Sequence, residues 1–176
     1  MIVKMTHSNR DDYNKPNDDG FTVIGRIVPT YKNDTWSYTE ERFDEPYFKQ
    51  YEEEEFDNCY IEDEDKAVFF YYGEDSCVGQ MKICSNWNGF ALIEHIQVAA
   101  AWRHKGIGTA LLKTAVEWAM QNNCAGLMLE TQDVNIQACR LYAKYGFVIG
   151  AVDNMMYANF ATAKERAIIW YYKFSR

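Results

Sequence analysis

An α/β fold, a mixed and largely antiparallel sheet flanked by helices, is what this chain predicts, and three observations predict it. Lys66 to Tyr72, Cys77 to Cys84 and Phe90 to Val98 are apolar runs joined by the short turns Gly73-Glu74-Asp75 and Asn86-Trp87-Asn88-Gly89, the pattern of an antiparallel meander. From Ile107 the period changes: Ile107, Leu111, Ala115 and Trp118 recur at helical spacing in a segment ending near Asn122, one buried stripe of a helix. Gly126 to Thr131 then reads as a short buried strand. Strand, helix and strand make a crossover, which requires the strands to run parallel.

The other elements follow from local signals. Asn135 is placed to cap a helix whose apolar positions are Ala138, Leu141, Tyr142 and Tyr145, and Gly146 is placed to end it. Phe147 to Val152 and Ala167 to Phe174 supply two final strands. Upstream, residues 1–20 read as a polar lead-in, with Asp11, Asp12, Pro16, Asp18, Asp19 and Gly20. Phe21 to Val28 is a strand expected to stop at Pro29. Tyr31 to Tyr60 mixes aromatic residues with acids, including Glu52 to Glu55, and is expected to be a solvated helix face or a mobile loop. Its sharper reading is a rim that draws in a cationic substrate. With no repeat or low-complexity tract, residues 1–176 are expected to form one domain.

Composition narrows the function. Of 176 residues 48% are hydrophobic, which is globular rather than disordered. The apolar runs fall short of the ~18 residues of a membrane span, and the N-terminus lacks a secretory segment, so a cytoplasmic location is expected. Five cysteines without a Cys-x-x-Cys pair read as reduced packing thiols, and His7, His95 and His104 lack metal-ligand spacing. No metal is expected. A net charge of −8 argues against nucleic acid and for a cationic acceptor.

Against that acidic background Arg103-His104-Lys105-Gly106-Ile107-Gly108 is a basic island between a strand and a helix start. Glycines let backbone approach a phosphate closely, and the helix start aims unpaired N–H groups at it. A Walker loop is excluded because Gly108 is followed by Thr109 and Ala110, and a dinucleotide fingerprint because its third glycine is Leu111. A bare strand-to-helix turn would carry the same two glycines. What fits is Arg-x-x-Gly-x-Gly, which resembles the acetyl-CoA loop of the GNAT N-acetyltransferases. Asn135-x-x-Ala138-x-x-Leu141-Tyr142-x-x-x-Gly146-Phe147 resembles the same family, and together the two patterns cover about residues 90–150, the expected acetyl-CoA-binding core. Asn33-x-x-Trp36-x-Tyr38-Thr39-Glu40, Glu45-Pro46-Tyr47, Gly126 to Asp133 and Tyr157-Ala-Asn-Phe160 resemble the streptothricin acetyltransferases in particular.

That resemblance implies an acetyl-CoA-dependent enzyme acetylating an amine of the β-lysine part of streptothricin, giving antibiotic resistance. Another amine (a polyamine, an aminoglycoside or a protein lysine) and a non-catalytic acyl-CoA sensor stay open. It implies pantetheine contacts from Ile96 and Val98, and a pyrophosphate held by Arg103, His104, Lys105, Gly106, Ile107, Gly108 and Thr109, with Asn135 also on the cofactor side. Arg103 stands where glutamine is commoner and is expected to contribute backbone N–H. Tyr142 would protonate the departing thiolate; without the motif it would read as a packed core tyrosine. An amine with a pKa near ~10.4 arrives protonated and needs a base. Glu94 is the first candidate: by alternation it shares a face with Leu92, Ile96 and Val98, where burial would raise its pKa. A salt bridge or a wet strand edge is the alternative. His95, on the other face, reads as structural. Trp36, Tyr38, Glu40 and Glu41, with Glu130 and Asp133, are the acceptor-binding candidates, since aromatic faces and carboxylates suit ammonium groups. The oligomeric state is not legible, and a homodimer stays open.

Overall fold

Asn33 and Asp34 both take left-handed backbone, φ 51° and 57°, the pair of dihedrals that a two-residue type I′ hairpin demands. In the computed structural model, which describes residues 1–17, 20–53, 55–74 and 76–175, this turn joins β2 (Phe21–Lys32) to β3 (Thr35–Lys49). The expected helix face or loop is therefore, over much of its length, a strand. Its sign was in the sequence: Trp36 and Tyr38 alternate with Thr35, Ser37 and Thr39, a period of two rather than 3.6, and the two aromatic residues are the half-buried ones. β2 also runs through Pro29 instead of stopping there. β2 and β3 form a two-stranded ribbon, in which alternate N–H groups point away from the partner, so a missing donor is tolerated. Asp18 and Asp19 of the lead-in, Glu54 of the glutamate run and Asp75 of the hairpin turn lie outside the described residues.

The chain divides into two compact units, one of Met1–Phe21 and Gln50–Leu127, the other of Thr22–Lys49 and Met128–Arg176. In the first, β1 (Ile2–Lys4), α1 (Cys59–Glu62), β4 (Lys66–Tyr72), β5 (Cys77–Ser85), β6 (Ala91–Val98) and α2 (Ile107–Gln121) carry the strand order β1-β4-β5-β6, each neighbour antiparallel. The expected meander and helix are both present. The lead-in is the correction: Ile2, Val3 and Lys4 pair with Tyr71, Phe70 and Phe69. Met5, 1% exposed, packs with Tyr60, Val68, Phe70 and Cys77. Its apolar residues are too few to read as a strand alone, and they acquire that identity only by covering a sheet.

The register assigns the faces. Gly79, Met81, Ile83 and Ser85 lie opposite Val98, Ile96, Ile93 and Ala91, while Gln80, Lys82 and Cys84 lie opposite Gln97, His95 and Leu92. Because cross-strand partners share a face, one face is the core of Met81, Ile83, Ala91 and Ile93. A Cβ on Gly79 would meet the Ile107 side chain at 3.0 Å and Leu111 at 3.4 Å. Glycine there lets the start of α2 lie close on the strand.

β7 (Gly126–Gln132), which belongs to the second unit from Met128 on, β9 (Ala167–Lys173) and β8 (Val148–Asp153) lie in that order, with β8 and β9 antiparallel. α3 (Ile136–Tyr145) has the expected caps: Asn135 Oδ1 accepts from Ala138 N–H at 3.2 Å. Gly146, at φ 111°, donates to Tyr142 O at 3.1 Å, as does Phe147 at 3.0 Å. The left-handed glycine turns the chain out of the helix and satisfies its last carbonyls.

Candidate active site

The loop between β6 and α2 is built from backbone conformations that its sequence selects. After the 3₁₀ turn Ala100–Trp102, His104 (φ 62°) and Gly106 (φ 84°) are both left-handed. A Cβ on Gly106 would meet nothing within 4 Å, so the glycine answers a dihedral requirement and leaves open space in front of the helix start. The first helical hydrogen bond runs from Ala110 N–H to Gly106 O at 3.0 Å. The N–H groups of Ile107, Gly108 and Thr109 precede it and are left over by α-helical bonding, as the first-turn donors of any helix are. With the dipole behind them they form an anion-binding end. Lys105 is exposed, its Nζ 4.5 Å from the centroid of the Trp102 ring, which holds a cation at the mouth of the loop.

Arg103 differs from expectation. Its N–H donates to Ala100 O at 3.2 Å within the 3₁₀ turn, so that group is already engaged inside the turn. Its guanidinium instead spans two backbone segments, Nε to Val98 O at 2.9 Å and Nη1 to Gly20 O at 2.8 Å. Arginine at this position clamps the end of β6 to the start of the loop, a task that glutamine, with fewer donors, performs less well. Ile96 and Val98 themselves lie on the core face of β6, opposite Met81 and Gly79.

Glu94 also lies elsewhere than alternation places it. Lys82 pairs with His95 but Ile83 pairs with Ile93, so Glu94 is the extra residue of a β-bulge. A bulge resets the alternation of its strand, and Leu92 and Ile96 therefore fall on opposite faces. Glu94 is exposed, not buried among apolar side chains, and its Oε2 accepts the hydroxyl hydrogen of Tyr60 from α1. Burial, and then the Glu94 carboxylate, push the Tyr60 phenol well above its ordinary range, so it stays a donor. His95 reaches Gln97 Oε1 at 2.7 Å, in keeping with a structural histidine. No sequence signal marked Tyr60.

In the second unit the structure gathers several of the expected residues around α3. Tyr142 is 5% exposed, with ring centroids of Phe147 at 5.7 Å and Trp170 at 6.1 Å. Tyr38 meets the same Trp170 edge-on at 6.1 Å. Arg140, two residues before Tyr142, makes a two-pronged bond to Glu40, Nε–Oε1 2.6 Å and Nη2–Oε2 2.5 Å. Tyr38 and Glu40, on one face of β3, are thus tied to the helix that carries Tyr142. Glu41, its exposed neighbour, alternates to the other face, and Trp36 stacks obliquely on Tyr31 at 5.0 Å.

Asp133 leaves the acceptor set. It is fully buried; its Oδ1 accepts from Arg166 N–H at 3.1 Å and Arg26 Nη1 stands 3.6 Å from Oδ2. Its own backbone bonds to Arg166 O and Ile27 N at 2.9 and 2.8 Å. The side chain joins β2 to the approach of β9 and is out of an amine's reach. A carboxylate at a strand end reads the same in sequence whether it faces inward or outward. The buried Lys49–Glu165 pair, with Nζ–O distances of 2.6 and 2.5 Å, likewise holds the end of β3 to the segment before β9.

Glu130 is reachable from solvent and accepts the Tyr157 hydroxyl hydrogen. Crowding by the surrounding protein raises its carboxyl above the usual range, against the lowering by Tyr157. A raised folded-state pKa means that folding favours the protonated form. The stability tied to Glu130 is fully present below the unfolded pKa of ~4.3 and is lost as pH rises through the folded value. Glu130→Gln removes that loss. It is expected to melt at a higher temperature than wild type at pH 7 and level with it in acid; a scanning calorimeter showing no difference at pH 7 contradicts the sign.

A strand end clamped to a basic left-handed loop, a helix start with spare donors, and a second helix presenting a tyrosine between an N-cap asparagine and a left-handed glycine are the parts of an acyl-CoA-dependent acetyltransferase. The chain belongs to the acetyltransferase (GNAT) family, whose model matches residues 30–147. It is 61% identical to Streptothricin acetyltransferase A of Bacillus subtilis (strain 168) over 99% of this chain and 100% of that protein. It is 32% identical to a streptothricin acetyltransferase of Escherichia coli, over 85% and 84% of the two chains. A Bacillus anthracis str. Ames protein assigned as a streptothricin acetyltransferase, solved in complex with acetyl coenzyme A, superposes with a TM-score of 0.89 at 33% identity, covering 99% and 97%. Among the described residues no helix is long and apolar enough to cross a membrane, and no group of three or more His, Cys, Asp or Glu is placed to hold a metal ion.

Proposed function

We propose that this enzyme acetylates an amine of the β-lysine part of streptothricin, with acetyl-CoA as acetyl donor, and so confers resistance to the antibiotic. The observation that carries the reading is the 61% identity along the whole chain to Streptothricin acetyltransferase A. The acceptor is cationic, which suits a chain of net charge −8 whose surface concentrates positive ligands. The reaction needs no metal, and the reading places the enzyme in the cytoplasm.

Acetyl-CoA, when bound, supplies the activated acetyl group; the chain supplies position and protons. The N–H groups of Ile107, Gly108 and Thr109, with Lys105 and the left-handed backbone of His104 and Gly106, hold the pyrophosphate, and the backbone of Ile96 and Val98 offers strand hydrogen bonds to the pantetheine arm. Asn135 serves by capping α3, and Arg103 by bracing the loop. Glu94 takes a proton from the bound ammonium, directly or through water, leaving a neutral amine whose lone pair then attacks the thioester carbonyl to form the N–C bond. Tyr142 holds the proton that the sulfur receives as the C–S bond breaks. Trp36, Tyr38, Glu40 and Glu130 present aromatic faces and carboxylates to the acceptor's ammonium groups, while Glu41, on the other face of β3, adds to the acidic field that draws the cation in.

The test is thiol release from acetyl-CoA by purified protein with streptothricin, spermidine, an aminoglycoside and a lysine peptide in parallel. Turnover with streptothricin alone is the expected result. Turnover with another amine in preference to it, or tight coenzyme A binding with none of the acceptors consumed, overturns the reading.

A further inference from the structure

We propose that Tyr60 is a positioning residue for the reaction: its hydroxyl orients the Glu94 carboxylate that accepts the amine's proton. The proposal rests on the reading of Glu94 as the base and adds the group that makes an exposed carboxylate serve as one.

A glutamate on a bulge has no cross-strand partner, and its terminal torsion is broad. Left alone, such a carboxylate samples many directions, while a proton acceptor must hold a lone pair within hydrogen-bond reach of the amine. Tyr60 removes that freedom by donating to Oε2. Its own position is fixed from both ends. The ring is 8% exposed within the cluster of Met5, Val68, Phe70 and Cys77. The short α1 that carries it is pinned where Asp57 Oδ1 accepts Cys59 N–H at 2.9 Å and Asn58 O accepts Ile61 N–H at 2.8 Å.

The surroundings keep the phenol a donor. Lys82 Nζ stands 4.7 Å and Lys66 Nζ 5.9 Å from the ring centroid, and cations over an aromatic face draw electron density from it, which makes its hydroxyl a stronger hydrogen-bond donor. The Cys84 thiol, on the face that Glu94 shares, is pushed up to about 11 by burial and then by the Glu94 charge, so it stays neutral and does not compete for the proton. Tyr60 of α1 and Cys84 of β5 meet the Glu94 side chain of β6, while Lys66 of β4 and Lys82 of β5 stand by the Tyr60 ring.

A double-mutant cycle on the whole enzyme tests it, with streptothricin as acceptor and acetyl-CoA affinity measured by titration. Tyr60→Phe keeps the ring in its cluster and removes only the donor. It is expected to lower kcat about tenfold or more, as small misplacements of a reacting group do, with the KM and affinity for acetyl-CoA unchanged. Placed on top of Glu94→Gln it is expected to cost nothing further, because the group it orients is gone. An unchanged kcat, a full additional loss in the double variant, or a parallel fall in acetyl-CoA affinity overturns the proposal while leaving Glu94 as the base. A Glu94→Gln enzyme that turns over near the wild-type rate removes the base reading, and the role of Tyr60 with it.

Discussion

Glu94→Gln is expected to lower kcat by about 10²- to 10⁴-fold near neutral pH, the usual worth of a positioned proton acceptor, with acetyl-CoA affinity unchanged. The amide matches the carboxylate in size and still accepts the Tyr60 hydrogen bond, so the bulge and α1 are left in place. What it loses is the capacity to take a proton. The deficit should therefore shrink as pH approaches the ~10.4 of a lysine-type amine, where the acceptor increasingly arrives neutral. The measurement is kcat against pH for both enzymes at saturating streptothricin and acetyl-CoA. A deficit that persists undiminished into the alkaline range makes Glu94 an electrostatic or structural residue.

Tyr142→Phe is expected to lower kcat by about 10²-fold or more while acetyl-CoA binds as before. The substitution deletes one oxygen from a ring that is 5% exposed and packed against Phe147 and Trp170, so the aromatic cluster and the C-cap of α3 both survive. Its carbonyl still accepts from Gly146 and Phe147 N–H. Steady-state thiol release and coenzyme A titration on the same preparation separate chemistry from binding. A rate equal to wild type takes the acid role from this phenol, and a matching loss of affinity makes its contribution one of packing.

The loop, the caps and the helices were legible because each answers a local demand. Gly106 needs a positive φ, Asn135 needs an N–H three residues on, and Gly146 needs to leave α3 left-handed; all three sit where their spacing to the apolar stripe says. The same holds for the hairpin of β4 and β5 and for the tyrosine on α3. β3 departs from expectation because aromatic and acidic residues suit a solvated helix as well as a ribbon, although Asn33-Asp34, whose φ values are both positive, is a hairpin-turn pair in the sequence.

Glu94, Arg103 and Asp133 were not legible, for a shared reason. Alternation assumes an unbroken strand, and whether Glu94 is the extra residue depends on how β5 pairs with β6. Arg103 became a brace because Gly20, 83 residues away in sequence, ends beside it. Asp133 became a buried anchor because Arg26 and Arg166 close over it. By itself the sequence determined the family, the left-handed loop before α2 and the helix bearing Tyr142, since these depend on dihedral preferences and hydrogen bonds spanning a few residues. The tertiary structure alone decided which carboxylates face solvent and which partner each one meets, because burial and pairing depend on segments that meet only once the chain has folded.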